Sequence, residues 1–374
     1  MLTKRRRPLA YKPIGSHQSS LSIWSTPEFD DHEMVISVSD KISGLKGFIG
    51  IHSTKRGPAL GGTRFLPYDS ESTALADALN LSKAMSFKCA LANLPFGGGK
   101  AVIMYDKSTS RERVLKAYAR TVDNLGGLFK TGTDVGITDE DVQFMGGHTS
   151  HMLGLSDGDR TGISTGSIAA LGTYWSIKAS FKFTFGSDNL AGKTIGVKGL
   201  GKLGGELVRL LTLDNAIVVA ADADDKTCRK FQLNYPKLRL VSPNQIAKQP
   251  LDLYAPCALG NEFNPSTIPL LKTSLIAGGA NNQLADQAAG DTLWSKGILY
   301  APDYIVNAGG LIYVADELEP GGFNRNRVLD RTKGITDTLL EIFKQSHAEN
   351  KPTNQVADEI GLKRINQKNQ HDKS

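Results

Sequence analysis

The stretch TIGVKGLGKLGGELVRLL, residues 194–211, restricts the fold more than any other part of the chain. It places Gly199, Gly201 and Gly204 as G-x-G-x-x-G between a β-branched run and a helical pattern. Glycines at this spacing allow a tight turn and let a pyrophosphate approach the positive N-terminus of the following helix. The stretch therefore predicts a dinucleotide-binding loop that joins a strand to a helix.

Short β-like runs alternate with helical patterns from about residue 193 onward; after the first come AIVVAADAD, DLYAPCA, SLIAGGA and GILYAPDYIVN. Such alternation is typical of a parallel, doubly wound sheet. A chain of 374 residues suggests two domains at roughly 150 residues each. We predict an α/β fold with a first domain over residues 31–153 and a Rossmann-type domain over 154–345. Residues 346–374 would form a C-terminal segment able to fold back on the first domain.

An acidic group follows the next β-like run. Asp222 lies 18 residues after Gly204, where its carboxylate can accept hydrogen bonds from a ribose diol. Asp224 and Asp225 follow without an adjacent arginine, so the group would repel the extra phosphate of NADP. We therefore predict NAD as the cofactor. The predicted loop contacts are Gly199, Leu200, Gly201, Lys202, Leu203 and Gly204.

A second glycine-rich stretch, ANLPFGGGKAVI, has three glycines at 97–99 directly before Lys100. It does not fit the phosphate-binding pattern G-x-x-x-x-G-K-[ST], because Leu94 occupies the first glycine position and Ala101 follows the lysine. We expect the glycines to let substrate and backbone lie close. The apolar residues that follow predict a buried strand that holds Lys100 in place.

Other polar residues stand out in the first half of the chain. Residues 72–91 follow a helical pattern whose apolar stripe begins at Ala74 and reaches Lys88. A lysine at the end of such a stripe either extends to water or meets an anion, and the pattern does not choose. Asp134 lies in a Gly/Thr-rich loop, where aspartate usually forms a turn. Asp139 is predicted to cap the helix that follows.

The charge is concentrated at the N-terminus. Five of the six net positive charges come from the first 12 residues, and the rest of the chain is nearly neutral. This balance argues against nucleic-acid binding. The basic, serine-containing segment resembles a targeting sequence, but Pro8 and Pro13 interrupt an amphipathic helix. We expect a disordered tail over residues 1–30.

Membrane and metal sites are not indicated. No apolar run approaches the roughly 18 residues of a membrane span. The three cysteines are far apart and lack C-x-x-C spacing, so we predict a cytoplasmic protein. His148 and His151 are three residues apart without a third ligand, and we predict no metal site.

Seven ordered motifs carry a family resemblance. They are GPALGGTRFLPYDS, KAMSFKCALANLPFGGGKAVI, TGTDVGIT, the nucleotide loop, APCALG, GGANNQL and YAPDYIVNAGG. With these motifs the chain resembles the glutamate/leucine/phenylalanine/valine dehydrogenases, especially their leucine/phenylalanine (or tryptophan) branch, over about residues 33–345. The resemblance implies a cleft between the two domains and NAD-dependent oxidative deamination of an L-amino acid to a 2-oxo acid plus ammonium. It also implies a homo-oligomer.

The resemblance also implies roles for single residues. Lys100 matches the catalytic lysine, Asp134 the aspartate that handles protons on the substrate nitrogen, and Lys88 the lysine that binds the substrate carboxylate. An ordinary lysine is too basic to act as a base near neutral pH, so Lys100 would need a dry cleft to lower its pKa. Further matches are Asn307, Gly61 and Gly62 near the substrate, and Ala258 and Asn281 near the cofactor.

The matched walls of the side-chain pocket are Leu60, Gly132, Leu339 and Ile342, all without charge. A second carboxylate would be buried there unpaired, which disfavours glutamate. Leucine-type members resemble this site with alanine at the position of Gly132 and valine at that of Leu339. The missing methyl group at 132 favours phenylalanine or tryptophan, with leucine or valine as the alternative.

Three positions depart from the family pattern. Ala169 stands where a cofactor-contacting threonine is usual, Gly279 replaces a serine, and Asn261 replaces a glycine. We expect them to bear on cofactor affinity. A catalytically inactive NAD-binding paralogue is the alternative of another class, although the chain retains Lys88, Lys100 and Asp134.

Overall fold

The computed structural model describes residues 23–155 and 162–367 and has the two-domain α/β fold that the sequence predicts. The first domain contains a mixed six-stranded sheet with helices against it. Its strands are β1 (Met34–Asp40), β2 (Leu45–Ser53), β3 (Ala59–Leu60), β4 (Thr63–Leu66), β5 (Gly97–Met104) and β6 (Phe129–Lys130). Its helices are α1 (Glu71–Leu91), α2 (Arg111–Asn124) and α3 (Asp139–Gly146).

The second domain contains a parallel six-stranded sheet. Its strands are β7 (Thr194–Lys198), β8 (Ile217–Ala221), β9 (Arg239–Leu240), β10 (Leu253–Pro256), β11 (Leu275–Ile276) and β12 (Leu299–Tyr300). Helices α4 (Thr165–Phe185), α5 (Lys202–Leu213), α6 (Asp225–Asn234), α7 (Gln287–Ser295), α8 (Asp303–Val306), α9 (Gly309–Ala315), α10 (Arg325–Lys333), α11 (Ile335–Glu349) and α12 (Thr353–Asn366) complete the described chain.

Strand order confirms the predicted Rossmann-type sheet. The order β12-β11-β10-β7-β8-β9 is 6-5-4-1-2-3 when the strands of this domain are numbered along the chain. The order reverses between β7 and β10, and ligands of open α/β sheets bind at the carboxyl ends of the strands at such a point. The glycine loop follows β7, so the fold places it at this crevice.

Strand β5 runs through the middle of the first sheet, between β2 and β3. It contains the three glycines and Lys100, and it is buried almost throughout, as the apolar run predicted. The glycines make room for the protein's own chain. A Cβ on Gly97 would lie 1.8 Å from the Ser53 carbonyl oxygen, and one on Gly98 would lie 2.1 Å from the Ser86 amide nitrogen of α1. The expected close approach of backbone is therefore observed, while the approach of a substrate stays a prediction.

Helix α12 connects the two domains. It packs against α1 in the first domain and against α11 and α7 in the second. The Arg364 guanidinium donates to the Leu91 carbonyl at 3.2 Å and pairs with Glu341 at 2.6 Å. Arg56 in turn donates to the Arg364 carbonyl at 3.0 Å. Residues 353–366 thus contact both domains.

Two local predictions are wrong. Asp139 does not cap α3; the Thr138 side chain accepts from the Asp141 amide and Asp139 is the first helical residue. The run GILYAPDYIVN is a strand only over Leu299–Tyr300, because Pro302 introduces a turn and α8 follows. Both errors concern the ends of secondary-structure elements, where side-chain caps and proline outweigh the hydrophobic pattern.

Other predictions concern the whole chain. Within residues 23–155 and 162–367, no helix is long and apolar enough to cross a membrane, and no group of three His, Cys, Asp or Glu could hold a metal. Cys89, Cys228 and Cys257 are all free. Of the predicted tail, residues 1–22 lie outside the described part; the rest includes a 3₁₀ turn at Ile23–Ser25.

Candidate active site

Lys100 and Asp134 form the centre of the candidate site. Lys100 lies on strand β5 and is only 5% exposed, and Asp134 lies in the loop after β6. The Lys100 ammonium donates to the Asp134 carboxylate. Burial lowers the pKa of Lys100, although the Asp134 charge opposes this. Burial would raise the pKa of Asp134, but Lys100, the Val135 amide and Arg64 together more than offset it, so that pKa lies below its ordinary value.

Arg64 on β4 contacts the other side of Asp134. Its Nε donates to Asp134 Oδ1 at 3.1 Å, and its Nη1 lies 2.9 Å from Asp77 Oδ2. The Asp134 Oδ1 atom also accepts from the Val135 amide at 2.7 Å. Two cations and a backbone amide therefore fix this carboxylate, which arranges it for proton exchange with Lys100 or with a ligand nitrogen.

Lys88 differs from Lys100 because its ammonium is not paired with a carboxylate of the described residues. It lies in the last turn of α1, and its ammonium has no hydrogen-bond or ion-pair partner among the described residues. Burial lowers the pKa of Lys88 to about 8, with Asp303 acting in the opposite direction. A half-buried ammonium without a partner is a binding point for an anion.

The second domain contributes an orphaned acceptor to the same part of the molecule. Helix α8 packs against α1, and Asn307 directly follows α8. The Asn307 Nδ2 atom donates to Asn281 Oδ1 at 2.7 Å, while its buried Oδ1 atom has no partner among the described residues. A buried amide oxygen without a donor indicates a site for a polar ligand group.

Three of the predicted pocket-wall residues belong to one large hydrophobic cluster. Leu60, Leu339 and Ile342 are all fully buried in one hydrophobic cluster that also contains Leu153. Gly132 is buried, but a Cβ there would lie 2.9 Å from the Leu153 carbonyl oxygen. A methyl group at 132 would therefore press on Leu153, which revises the argument that its absence simply opens space. Gly61 and Gly62 also pack closely against backbone. A Cβ on Gly61 would clash with the Gly99 carbonyl oxygen, and one on Gly62 would clash with the Thr133 carbonyl oxygen.

The glycine loop has the geometry of a phosphate site. Gly199 has φ +101°, and a Cβ on Gly204 would lie 1.9 Å from the Gly199 carbonyl oxygen. Gly201, the residue before α5, is exposed and faces open space, and no described side chain caps this helix. The first amides of α5, beginning at the exposed Lys202, therefore fit the phosphate groups of a dinucleotide.

The remaining cofactor candidates surround this loop. Ala258 follows β10, and a Cβ on Gly199 would lie 2.9 Å from the Ala258 Cβ, so the two loops are adjacent. Leu200 is buried and Leu203 is partly buried, so they support the loop. Asn281 is exposed at the loop after β11.

The acidic group is divided between two tasks. The Asp222 carboxylate accepts from the Leu200 amide at 2.6 Å and from the Asp224 amide at 2.8 Å. It thereby ties the glycine loop to the end of β8, a role that sequence reasoning missed. Asp224 is the N-cap of α6, accepting from the Lys226 and Thr227 amides.

Two of the departures from the family pattern have local explanations. A Cβ on Gly279 would lie 2.5 Å from Leu203 Cδ1 and 2.9 Å from Thr173 Oγ1, so the glycine accommodates these side chains. Asn261 adopts φ +57°, a left-handed conformation that asparagine tolerates in place of glycine. Nothing in the structure explains Ala169.

Arg64 and Asp303 are the charged residues at this site that sequence reasoning missed. Both lie inside motifs that carry the resemblance, GGTRF and YAPDYIVN. Their charge within otherwise apolar or glycine-rich motifs was the available signal. Arg64 contacts Asp134, which is 70 positions away, and Asp303 interacts with Lys88 of the first domain, so the sequence did not reveal these partners.

Comparison with known proteins gives one consistent family. The model of the Glu/Leu/Phe/Val dehydrogenase dimerisation domain matches residues 32–152, and that of the Glutamate/Leucine/Phenylalanine/Valine dehydrogenase domain matches residues 222–372. The chain is 40% identical to leucine dehydrogenase of Bacillus cereus, covering 92% of this chain and 94% of the relative. It is 41% identical to phenylalanine dehydrogenase of Thermoactinomyces intermedius, with coverages of 89% and 91%.

A solved structure agrees with the sequence matches. L-tryptophan dehydrogenase from Nostoc punctiforme superposes with a TM-score of 0.82 and 39% identity, covering 90% of this chain and 96% of that one. Relatives named for three different substrates match about equally well. Sequence identity therefore shows the family and its nicotinamide-dependent oxidoreductase chemistry, but it does not distinguish among these substrates. With both domains matched in order, this chain belongs to the glutamate/leucine/phenylalanine/valine dehydrogenase family of amino acid dehydrogenases.

Proposed function

We propose that the protein catalyses the reversible, NAD-dependent oxidative deamination of an apolar L-amino acid to its 2-oxo acid plus ammonium, with phenylalanine or tryptophan favoured. The observation that carries this proposal is the contrast between two buried lysines in one site. Lys100 is paired with Asp134, while Lys88 has no described partner. One arrangement suits proton transfer and the other suits carboxylate binding.

The residues act in a defined order. Lys88 pairs with the substrate carboxylate, which fixes Cα in the cleft. The bound nicotinamide cofactor supplies the hydride acceptor for Cα. Lys100 in its neutral form then removes a proton from the water that attacks the resulting iminium carbon, which is why a lowered pKa at Lys100 is useful. Asp134 holds Lys100 and exchanges protons with the substrate nitrogen.

The preference for an apolar side chain rests on the pocket walls. Leu60, Leu339 and Ile342 are fully buried and carry no charge, so the second carboxylate of glutamate would lose its hydration without a partner. A methyl group at 132 would press on Leu153 of the same cluster, and the absence of that group supports an aromatic substrate. We rank phenylalanine and tryptophan above leucine and valine on this basis.

Ranking the substrates is the test of this proposal. We expect NADH formation with the full-length enzyme, and a higher kcat/KM for L-phenylalanine or L-tryptophan than for L-leucine or L-valine. A clear leucine or valine optimum would replace the aromatic preference. No NADH formation with any of the four would favour the inactive NAD-binding paralogue instead.

NAD is proposed over NADP because Asp222, Asp224 and Asp225 present carboxylates after β8. A 2′-phosphate would meet this negative charge, and no described arginine pairs with these three carboxylates. We expect a lower Michaelis constant for NAD than for NADP. A tenfold preference for NADP would contradict the assignment.

We also propose a cytoplasmic homo-oligomer. The first domain matches a family model described as a dimerisation domain, and the cysteines are free. Light scattering of the purified protein tests the assembly, and a monomer at micromolar concentration would contradict it.

A further inference from the structure

Asp303 is a buried carboxylate that the proposed mechanism does not use. It is the first residue of α8 and is only 7% exposed. Its Oδ1 atom accepts from the Tyr300 hydroxyl at 2.7 Å, and its Oδ2 atom accepts from the Asn282 amide at 2.7 Å. Two donors therefore stabilise its ionised form inside the protein.

Asp303 and Lys88 lie on helices of different domains that pack against each other, Asp303 on α8 and Lys88 on α1. The two charges interact electrostatically, yet they form no direct hydrogen bond or ion pair in the described structure. Lys88 is thus close enough to interact electrostatically with the Asp303 carboxylate, and its ammonium can still bind another anion.

We infer that Asp303 is a positioning residue for the substrate. Its carboxylate, fixed in the second domain, keeps the Lys88 ammonium charged until the substrate carboxylate binds. This inference rests on the proposed function, in which Lys88 binds the substrate carboxylate. Without a nearby anion, an ammonium buried at this depth would lose its proton more readily.

The other charged groups around Lys88 do not replace Asp303. Lys100 on β5 repels the ammonium and thus lowers the pKa of Lys88. Asp134 raises that pKa less than Asp303 does, and its carboxylate is already paired with Lys100 and Arg64. The Cys89 thiol is buried and its pKa is raised to about 12, so it remains neutral.

Asp303 can supply this charge because both of its carboxylate oxygens accept hydrogen bonds. Burial raises the pKa of Asp303 above its ordinary value, and Tyr300, the Asn282 amide and Lys88 oppose that rise. Tyr304, the next residue, donates its hydroxyl to Asp358 at 2.7 Å and does not bond Asp303. Asp358 has no interaction with Lys88. The pair Tyr304–Asp358 is therefore a matched control for Tyr300–Asp303.

The test uses a carboxylate without an amino group, 3-phenylpropanoate, as an inhibitor competitive with the amino acid. Its inhibition constant is measured from about pH 6 to about pH 10 on the full-length enzyme. Since the wild-type Lys88 pKa is about 8, binding should weaken about tenfold per pH unit above that value. In Asp303→Asn the midpoint should fall by about one pH unit, while Asp358→Asn should titrate like wild type.

Further variants keep the result decisive. Asp303→Ser also lacks the charge and should show the same displacement if Asp303→Asn does not fold. Lys88→Gln should bind the inhibitor weakly at all pH values. Midpoints equal to wild type in both Asp303 variants, or an equal displacement in Asp358→Asn, would overturn this inference alone. Wild-type inhibition that Lys88→Gln leaves unchanged would instead overturn the proposed role of Lys88.

Discussion

The two walls of the cleft are built differently. The first-domain wall holds paired charges, since Lys100, Asp134 and Arg64 form a connected set on strands and a short loop. The second-domain wall presents unpaired polar groups, including the uncapped start of α5 at Gly201 and the Asn307 Oδ1 atom. Groups that move protons benefit from fixed partners, whereas groups that receive a ligand need free hydrogen-bonding capacity.

The contrast assigns separate tasks to the walls. We propose that the first wall carries the chemistry and the second binds the cofactor. Lys88 is the exception, because it belongs to the first wall but has no described partner. We therefore propose that the substrate contacts the first domain at Lys88, and substitutions on the two walls should affect different measurements.

Lys100→Ala is expected to have the largest effect. Removing the base should lower turnover by about 10³-fold or more, because proton removal from the attacking water loses its acceptor. NADH formation at saturating substrate measures this loss. Lys46→Ala, an exposed lysine on β2, is the control and should match wild type. Turnover of Lys100→Ala within a few-fold of wild type would refute the assignment.

Gly201→Ala is expected to weaken the cofactor rather than the chemistry. Its Cβ would enter open space at φ −69°, so folding should be unaffected. The methyl group would, however, stand where a pyrophosphate approaches the helix, and NADH affinity should fall about 10- to 100-fold. Fluorescence titration and thermal unfolding measure the two quantities.

Gly204→Ala is the comparison variant for that experiment. Its Cβ would lie 1.9 Å from the Gly199 carbonyl oxygen, so both affinity and thermal stability should fall. Wild-type NADH affinity in Gly201→Ala would remove the phosphate site from the second wall.

Arg64→Gln tests the fixed carboxylate of the first wall. Loss of the charged hydrogen bond to Asp134 should lower kcat about 20-fold, equivalent to roughly 2 kcal/mol. Lys100 must be neutral to act as the base, and Arg64 lowers its pKa, so losing Arg64 raises the pKa of Lys100. The acid limb of the kcat/KM profile should therefore move to higher pH. Arg64→Lys should restore part of the shift, and an unmoved acid limb would contradict this role.

Gly132→Ala should have the smallest effect. The new methyl group would press on the Leu153 carbonyl and narrow the side-chain pocket. The ratio of kcat/KM for phenylalanine to that for leucine should fall about 5- to 10-fold, within what one methylene decides. The ratio is measured with both substrates on one preparation. A ratio that rises would show that 132 does not border the aromatic ring.

Much of this architecture is predictable from local pattern. The loop glycines predicted a strand-to-helix turn, because Gly199 has a positive φ and Gly204 packs against the Gly199 carbonyl oxygen within the loop itself. The apolar residues after Lys100 predicted a buried strand for the same kind of local reason. The residues proposed for the chemistry, Lys88, Lys100 and Asp134, came from ordered motifs rather than from periodicity.

Long-range contacts were not predictable. The three glycines before Lys100 predicted a close approach of backbone, but not that they accommodate α1, β2 and Phe129. The stripe that ends at Lys88 predicted one buried face on α1, whereas this helix lies between β5 and α12 and is covered on two sides. Asp134 lies far from Arg64 in the sequence, as Lys88 does from Asp303, and only the folded chain brings each pair together.

NADH binding to Lys100→Ala tests the division between the walls most directly. Fluorescence titration of this variant, beside wild type and Gly201→Ala, separates binding from chemistry. We predict a dissociation constant within about threefold of wild type, together with the loss of turnover. A Lys100→Ala variant that loses NADH binding as strongly as Gly201→Ala, or that retains turnover, would contradict the account.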